Sequence, residues 1–124
     1  MLDELAPKGE HHADPLAHFA QPTDFAFDDR DQCLDLVINA SPLGMHGNPP
    51  LEFHWSHAPP GSIAYDIVTS PLDTPFLQGA RAAGHPVING HAMLIGQAAI
   101  AFETFFGKAP PRECDDELME ILCQ

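Results

Sequence analysis

The sequence predicts an α/β fold with a short parallel sheet and C-terminal helices, on three observations. Three short apolar runs, at 34–39, 62–68 and 86–88, each stop at or near turn-forming residues. A helix with a recognisable start and stop separates the second run from the third. A long and almost uninterrupted apolar stretch, 91–106, comes after the third.

Taken in order, residues 1–32 form a poorly defined lead-in. They are polar, carry the pair His11 and His12, prolines at Pro7, Pro15 and Pro22, and the acidic run Asp28-Asp29-Arg30-Asp31. Leu16 and Phe19 are spaced to share a helical face, although the segment reads equally well as a loosely packed approach to the domain. From residue 33 onward the texture changes. Leu34-Asp35-Leu36-Val37-Ile38-Asn39 ends at Ser41-Pro42 and has the continuous apolar character of a parallel strand covered on both faces. Ser62-Ile63-Ala64-Tyr65-Asp66-Ile67-Val68 repeats the pattern after the turn Pro59-Pro60-Gly61, and Pro86-Val87-Ile88 supplies a third, shorter strand.

Between the second and third strands, Thr74 can cap a helix with Pro75 at its first position. Phe76, Leu77 and Ala80 supply the apolar face and Gly84 the stop. Strand, helix and strand in this order imply a parallel crossover. The stretch 91–106 is apolar at almost every position, which predicts a helix of about four turns buried nearly all round. A loop with Pro110 and Pro111 leads to a last helix over 113–122, with Leu118, Ile121 and Leu122 on one face. The first strand reads as a central one, yet nothing upstream supplies its second neighbour. Its open edge therefore offers a place for association.

Composition sets outer limits. With 124 residues there is room for one small domain. A net charge of −13, with Lys8, Arg30, Arg81, Lys108 and Arg112 as the only fixed cations, argues against a nucleic-acid partner. No apolar run approaches the roughly 18–20 residues that cross a bilayer, so no membrane partner is expected. The opening Met1-Leu2-Asp3-Glu4 has neither a basic nor an apolar leader segment, and Cys33, Cys114 and Cys123 form no close-spaced pair. A cytoplasmic location is the expectation. Eight histidines, among them His46, His54, His85 and His91, form no pair-of-pairs with cysteine and no His-Glu-x-x-His helix, which argues against a metal site and leaves them as loop residues.

Four motifs occur together: Asn39-Ala40-Ser41-Pro42-Leu43-Gly44-Met45, Tyr65-Asp66-Ile67-Val68, Thr74-Pro75-Phe76-Leu77, and Asn89-Gly90-His91-Ala92-Met93-Leu94-Ile95-Gly96-Gln97-Ala98-Ala99. In that order and spacing they resemble the C-terminal half of the shikimate dehydrogenase family, across residues 34–112. The resemblance implies a partial Rossmann-like three-layer domain over residues 33–124, namely the second half of the sheet plus C-terminal helices. It implies NADP as cofactor, shikimate or 3-dehydroshikimate as substrate, and a role in aromatic amino-acid biosynthesis.

By the same resemblance, Ile67, Gly90 and Met93 lie at the nicotinamide end, and Gln97 and Thr69 face the substrate. On chemistry alone, Ile67 reads as a core strand residue and Gly90 as a turn glycine, whereas a position without Cβ also lets a ring come close. Met93 either covers the nicotinamide or fills core. Asn39 and Ser41, at the carboxyl end of the first strand, lie where open parallel sheets bind ligands, or else stabilise the strand-to-loop turn. Gln97 is an amide inside an apolar helix, so it binds a ligand hydroxyl or a nearby carbonyl. Thr69 stands where the family usually has tyrosine, which shortens its reach. The Lys and Asp pair and the Gly-x-Gly-x-x-Gly turn of the family have no counterpart in the 124 residues, so no catalytic residue is assigned. The resemblance thus points to a dehydrogenase whose remaining parts lie outside these residues. The alternatives are an interaction module and a non-functional fragment.

Overall fold

A computed structural model describes residues 13–21 and 34–122. The described elements are α1 (Leu16–Phe19), β1 (Leu36–Asn39), a short 3-10 turn (Trp55–His57), β2 (Ile63–Asp66), α2 (Pro75–Ala82), β3 (Val87–Ile88), α3 (Gly90–Phe106) and α4 (Asp115–Leu122). The fold class is α/β. The acidic run 28–31 and the thiols Cys33 and Cys123 lie outside the described residues. Cys114 is an exposed free thiol.

The three strands form one parallel sheet in the order β1-β2-β3. Leu36 pairs with Ile63 and Asn39 with Asp66 across the first ladder, and Ala64 with Val87 across the second. Ser62, almost fully buried, fastens the start of β2 by donating its hydroxyl to the carbonyls of Leu34 (2.6 Å) and Pro59 (2.8 Å). Between β2 and β3, α2 has the predicted ends. The Thr74 hydroxyl accepts from the Leu77 amide, Pro75 opens the helix, and Gly84 turns the chain at φ +87°.

Strand alternation decides where the core sits, since successive side chains point to opposite faces. Val37, Ala64 and Val87 fall on one face. Against them pack Trp55, Phe76, Leu77 and Ala80, with Phe53 and Leu51 at the margin. The aromatic rings are in contact, with centroid separations of 4.6 Å for Phe53 and Trp55 and 5.2 Å for Trp55 and Phe76. Gly79 lets α2 seat on this cluster, because a Cβ there would stand 3.3 Å from the Trp55 ring.

The opposite face departs from the sequence expectation. Leu36 and Ile38 are 45% and 49% exposed, and Ile88 is also exposed, so among the described residues β1 is covered on one face only. The long helix differs in the same way. Of α3 only Gly90, His91 and Ile95 are buried, while Ile100, Phe105 and Phe106 face solvent. The physical reason is that an apolar run records a need for cover, and among the described residues no layer supplies it on this side.

One hydrogen-bond network joins the elements. The carboxylate of Asp66, completely buried, accepts at Oδ1 from the Asn39 amide (3.1 Å) and the Val68 backbone N–H (2.9 Å). At Oδ2 it accepts from the Thr74 hydroxyl (2.6 Å). Strand β1, strand β2 and the start of α2 therefore meet at one side chain.

Thr74→Val keeps the shape but removes the hydroxyl that donates to Asp66 and caps α2. The expected loss is about 1–3 kcal/mol in urea unfolding, because one buried carboxylate oxygen is left without its donor. Leu77→Ala, at a core position 1% exposed, is expected to cost about 2–5 kcal/mol in the same experiment. Ile38→Lys, on the bare face, is expected to change stability by less than about 0.5 kcal/mol and to reduce self-association in light scattering.

Candidate functional site

The carboxyl ends of parallel strands are where open α/β sheets bind ligands, because the loops there diverge and leave a crevice. Here that end carries the loop after β1, the loop after β2 and the first turn of α3. Three local arrangements place them.

The loop after β1 is organised by Asn39. Its Nδ2 donates to the Leu43 carbonyl (2.9 Å) as well as to Asp66, and its Oδ1 accepts from the Ser41 hydroxyl (2.7 Å) and backbone N–H (3.1 Å). Both polar atoms of the buried amide are thus engaged within the protein. Ser41 Oγ in turn accepts from the Leu43 N–H at 3.3 Å. The same loop turns at Gly44, whose φ of +89° favours glycine and whose N–H donates to the Pro49 carbonyl (2.8 Å).

The loop after β2 is tied to the first loop twice. Inside, Ile67 N–H donates to the Asn39 carbonyl (3.2 Å). At the surface, His46 N–H donates to the Ser70 carbonyl (3.1 Å), and its ring Nδ1 lies 3.0 Å from the Ser70 hydroxyl. Ile67 and Thr69 are half-buried on this loop.

The third arrangement is the contact of α3 with β2. Gly90, the first residue of α3, is buried, and a Cβ on it would lie 2.6 Å from the carbonyl oxygens of both Ile67 and Val68. No side chain fits there. The helix is capped by Asn89, whose Oδ1 accepts from the His91 N–H (3.2 Å). Met93 and Gln97 stand one turn apart on one helical face. Met93 is half-buried. Gln97 is exposed, and its amide has no hydrogen-bond partner among the described residues.

The structure therefore gathers Asn39, Ser41, Ile67, Thr69, Gly90 and Met93 at one end of the sheet, with Gln97 further along α3. It also corrects the histidines. His85, in the loop between α2 and β3, is buried at 8% exposure, and His91 is not a loop residue but lies in the first turn of α3 at 1% exposure; the Nδ1 of each has no partner, as is true of Trp55 Nε1. His85 is buried because its ring packs on Trp55, with centroids 5.1 Å apart. Among the described residues, no group of three His, Cys, Asp or Glu side chains is placed to hold a metal, and no helix is long and apolar enough to cross a membrane.

Two contributors escape sequence reasoning. Asp66 leaves a trace, being the single charge inside the apolar run Tyr65-Asp66-Ile67-Val68. The pairing of His46 with Ser70, residues 24 apart in the chain, leaves none.

The chain is similar to known proteins over most of its described residues. Residues 90–120 match the Shikimate 5'-dehydrogenase C-terminal domain. The chain is 53% identical over 87 residues to a shikimate dehydrogenase (NADP(+)) of Sphingopyxis alaskensis, covering 70% of this chain and 32% of the relative. It is 45% identical over 86 residues to that of Maricaulis maris, covering 69% and 31%. Among solved structures, shikimate 5-dehydrogenase of Thermus thermophilus in complex with NADP(H) and shikimate superposes with a TM-score of 0.62 at 31% identity, over 71% of this chain and 34% of that one. Quinate dehydrogenase of Corynebacterium glutamicum in complex with NAD superposes with a TM-score of 0.59 at 35% identity, over 69% and 29%. The chain spans about a third of the length of the curated relatives it matches. The domain match and the curated relatives support the shikimate dehydrogenase family for this chain, over the C-terminal part of those relatives.

Proposed function

We propose that this chain supplies the C-terminal part of an NADP-dependent shikimate dehydrogenase, which interconverts 3-dehydroshikimate and shikimate in aromatic amino-acid biosynthesis. The observation that carries the reading is the seat of Gly90 against the Ile67 and Val68 carbonyls, 2.6 Å from where a Cβ would stand. That seat holds the start of α3, and with it Met93, at the ligand-binding end of the sheet.

In this reading the residues fit one end of the cofactor. Ile67 and Met93, half-buried and apolar, form the surface for the nicotinamide ring, with Gly90 behind them. Asn39 and Ser41 hold the adjoining loop in shape, so their contribution runs through the backbone that they order. Nothing among the 124 residues resembles the glycine turn that cradles a pyrophosphate. NADP, when bound, supplies the hydride acceptor. Gln97, whose amide has no hydrogen-bond partner among the described residues, hydrogen-bonds a substrate hydroxyl, and Thr69 offers a second, shorter-reaching hydroxyl from the β2 loop. No residue of this chain is assigned to proton transfer at the reacting oxygen. Activity therefore requires the remaining two thirds of the enzyme, whether joined to this chain or supplied separately. The preference for shikimate over quinate is set jointly by Thr69 and by those parts.

A second reading is favoured by one observation. β1 pairs with β2 alone among the described residues, and its Leu36 and Ile38 are exposed. An interaction module docking through that edge has the same surface available.

The test is calorimetric titration of the purified chain with NADP and with shikimate, beside an absorbance assay at the nicotinamide band. The chain alone is expected to show neither tight binding nor turnover. Mixed with the first two thirds of the Sphingopyxis alaskensis relative, it is expected to give an NADP-dependent rate. Turnover by the chain alone contradicts the assignment of no proton-transfer residue, and continued silence of the mixture favours the interaction module. In the active mixture, Gln97→Ala is expected to raise KM for shikimate about tenfold, the loss of one good hydrogen bond, with the melting temperature unchanged. Gly90→Ala is expected to cost the chain about 1–3 kcal/mol, because the new methyl group forces α3 away from β2.

A further inference from the structure

Thr69 stands on a stretch of chain between two anchors. Before it, the Val68 N–H is held by the buried Asp66 carboxylate. After it, Asp73 is tied to α2, accepting from Gln78 Nε2 at its carbonyl (3.0 Å) and from Arg81 at its carboxylate (2.8 Å). Between the anchors, among the described residues, the hydrogen bonds of 69–72 run to one residue of the other loop, His46. The His46 N–H donates to the Ser70 carbonyl at 3.1 Å, and its ring Nδ1 lies 3.0 Å from the Ser70 hydroxyl.

His46 is itself fixed in place. It occupies a turn in which the Asn48 N–H donates to the Met45 carbonyl (2.9 Å), and Gly47 supplies the φ of +86° that a side chain would resist. Just ahead of that turn, the Leu43 carbonyl accepts from the Asn39 amide, and Gly44 lies so near the cap of α2 that a Cβ on it would stand 3.4 Å from Thr74 Cβ. A continuous line of contacts therefore leads from Asp66, through Asn39 and Thr74, to the turn carrying His46, and from there to Ser70.

We propose that His46 and Ser70 form a latch that positions Thr69 for the substrate and so helps to set substrate affinity. The proposal rests on the reading of Thr69 as a substrate contact. A threonine hydroxyl is carried on a short side chain, so its placement is that of its backbone, and hydrogen bonds weaken steeply once their geometry is lost. Ser70 is the next residue, held at both its carbonyl and its hydroxyl. His46 and Ser70 are both exposed, so loss of the latch disturbs the loop without unfolding the sheet.

Hydrogen exchange and kinetics test this together. In the chain alone, Ser70→Ala is expected to speed exchange of the His46 amide several-fold by NMR, and Ser70→Thr, which keeps the hydroxyl, to leave it at the wild-type rate. In the mixture with the first two thirds of the Sphingopyxis alaskensis relative, His46→Ala and Ser70→Ala are each expected to raise KM for shikimate about threefold, with kcat and the melting temperature little changed. His46→Asn, whose side-chain amide offers a polar atom where Nδ1 stood, is expected to restore KM. In a Thr69→Val background neither alanine substitution is expected to change KM further, because the latch acts through that hydroxyl. Unaltered exchange in Ser70→Ala, or a rise in KM that persists in the Thr69→Val background, overturns the latch. A mixture without turnover overturns the functional reading and the substrate role with it, and the exchange result then measures the link between the loops alone.

Discussion

The fold depends on a buried carboxylate. Asp66 has no access to solvent, and an apolar surrounding penalises a carboxylate heavily unless its oxygens are hydrogen-bonded. Here three donors meet it, and each comes from a different place: the end of β1, the backbone just beyond β2, and the cap of α2. The cost of burying the group thus becomes a constraint on geometry. The strands must keep the register that sets Asn39 beside Asp66, and α2 must start at Thr74, or an oxygen loses its partner. The hydrophobic cluster of Trp55, Phe76, Leu77 and Ala80 stabilises the domain, but apolar contacts are non-directional and do not by themselves choose a register. The network supplies the direction.

The sheet is two-sided in character and one-sided in cover. Val37, Ala64 and Val87 are matched by α2 and the aromatic cluster, whereas Leu36, Ile38 and Ile88 on the other face are not. The same asymmetry continues along α3, buried over its first turns and bare at Ile100, Phe105 and Phe106. Exposed apolar residues scattered singly mean little, but here a strand face and a helix end are bare together among the described residues. That agrees with a chain spanning about a third of its relatives.

Much of the architecture was legible because its determinants are local. Thr74-Pro75 at the start of α2 and Gly84 after it act within a few residues, and the helix falls between them. The three strands appear where the apolar runs predict, shorter by one or two residues at their ends, because pairing stops before the apolar pattern does. What was not legible is relational. Periodicity says that Ile38 needs cover, not whether cover is present. The burial of His85 comes from Trp55 reaching it across the fold, and two rings thirty residues apart leave no mark in the local pattern. Asn39 was legible as a residue at the carboxyl end of the first strand, but its two polar atoms are committed to Ser41, Leu43 and Asp66, an arrangement visible only when both loops are in place.

Gly90 shows how one residue type can be required for a reason other than the one that drew attention to it. A glycine beside a cofactor suggests room for a ring. In this chain the missing Cβ is answered by protein, since the carbonyls of Ile67 and Val68 occupy the space at 2.6 Å. Close approach of helix to strand is then the primary constraint, and any closeness to a nicotinamide is a consequence. This priority governs the rest of the helix. Because α3 is fixed at its first residue, the direction of the helix from that contact sets where Met93 and Gln97 stand, one and two turns on. The position of Gln97 is in this way set by a backbone contact seven residues earlier, whereas the far end of α3, bare at Ile100, Phe105 and Phe106, has no buried residue to fix it among the described residues.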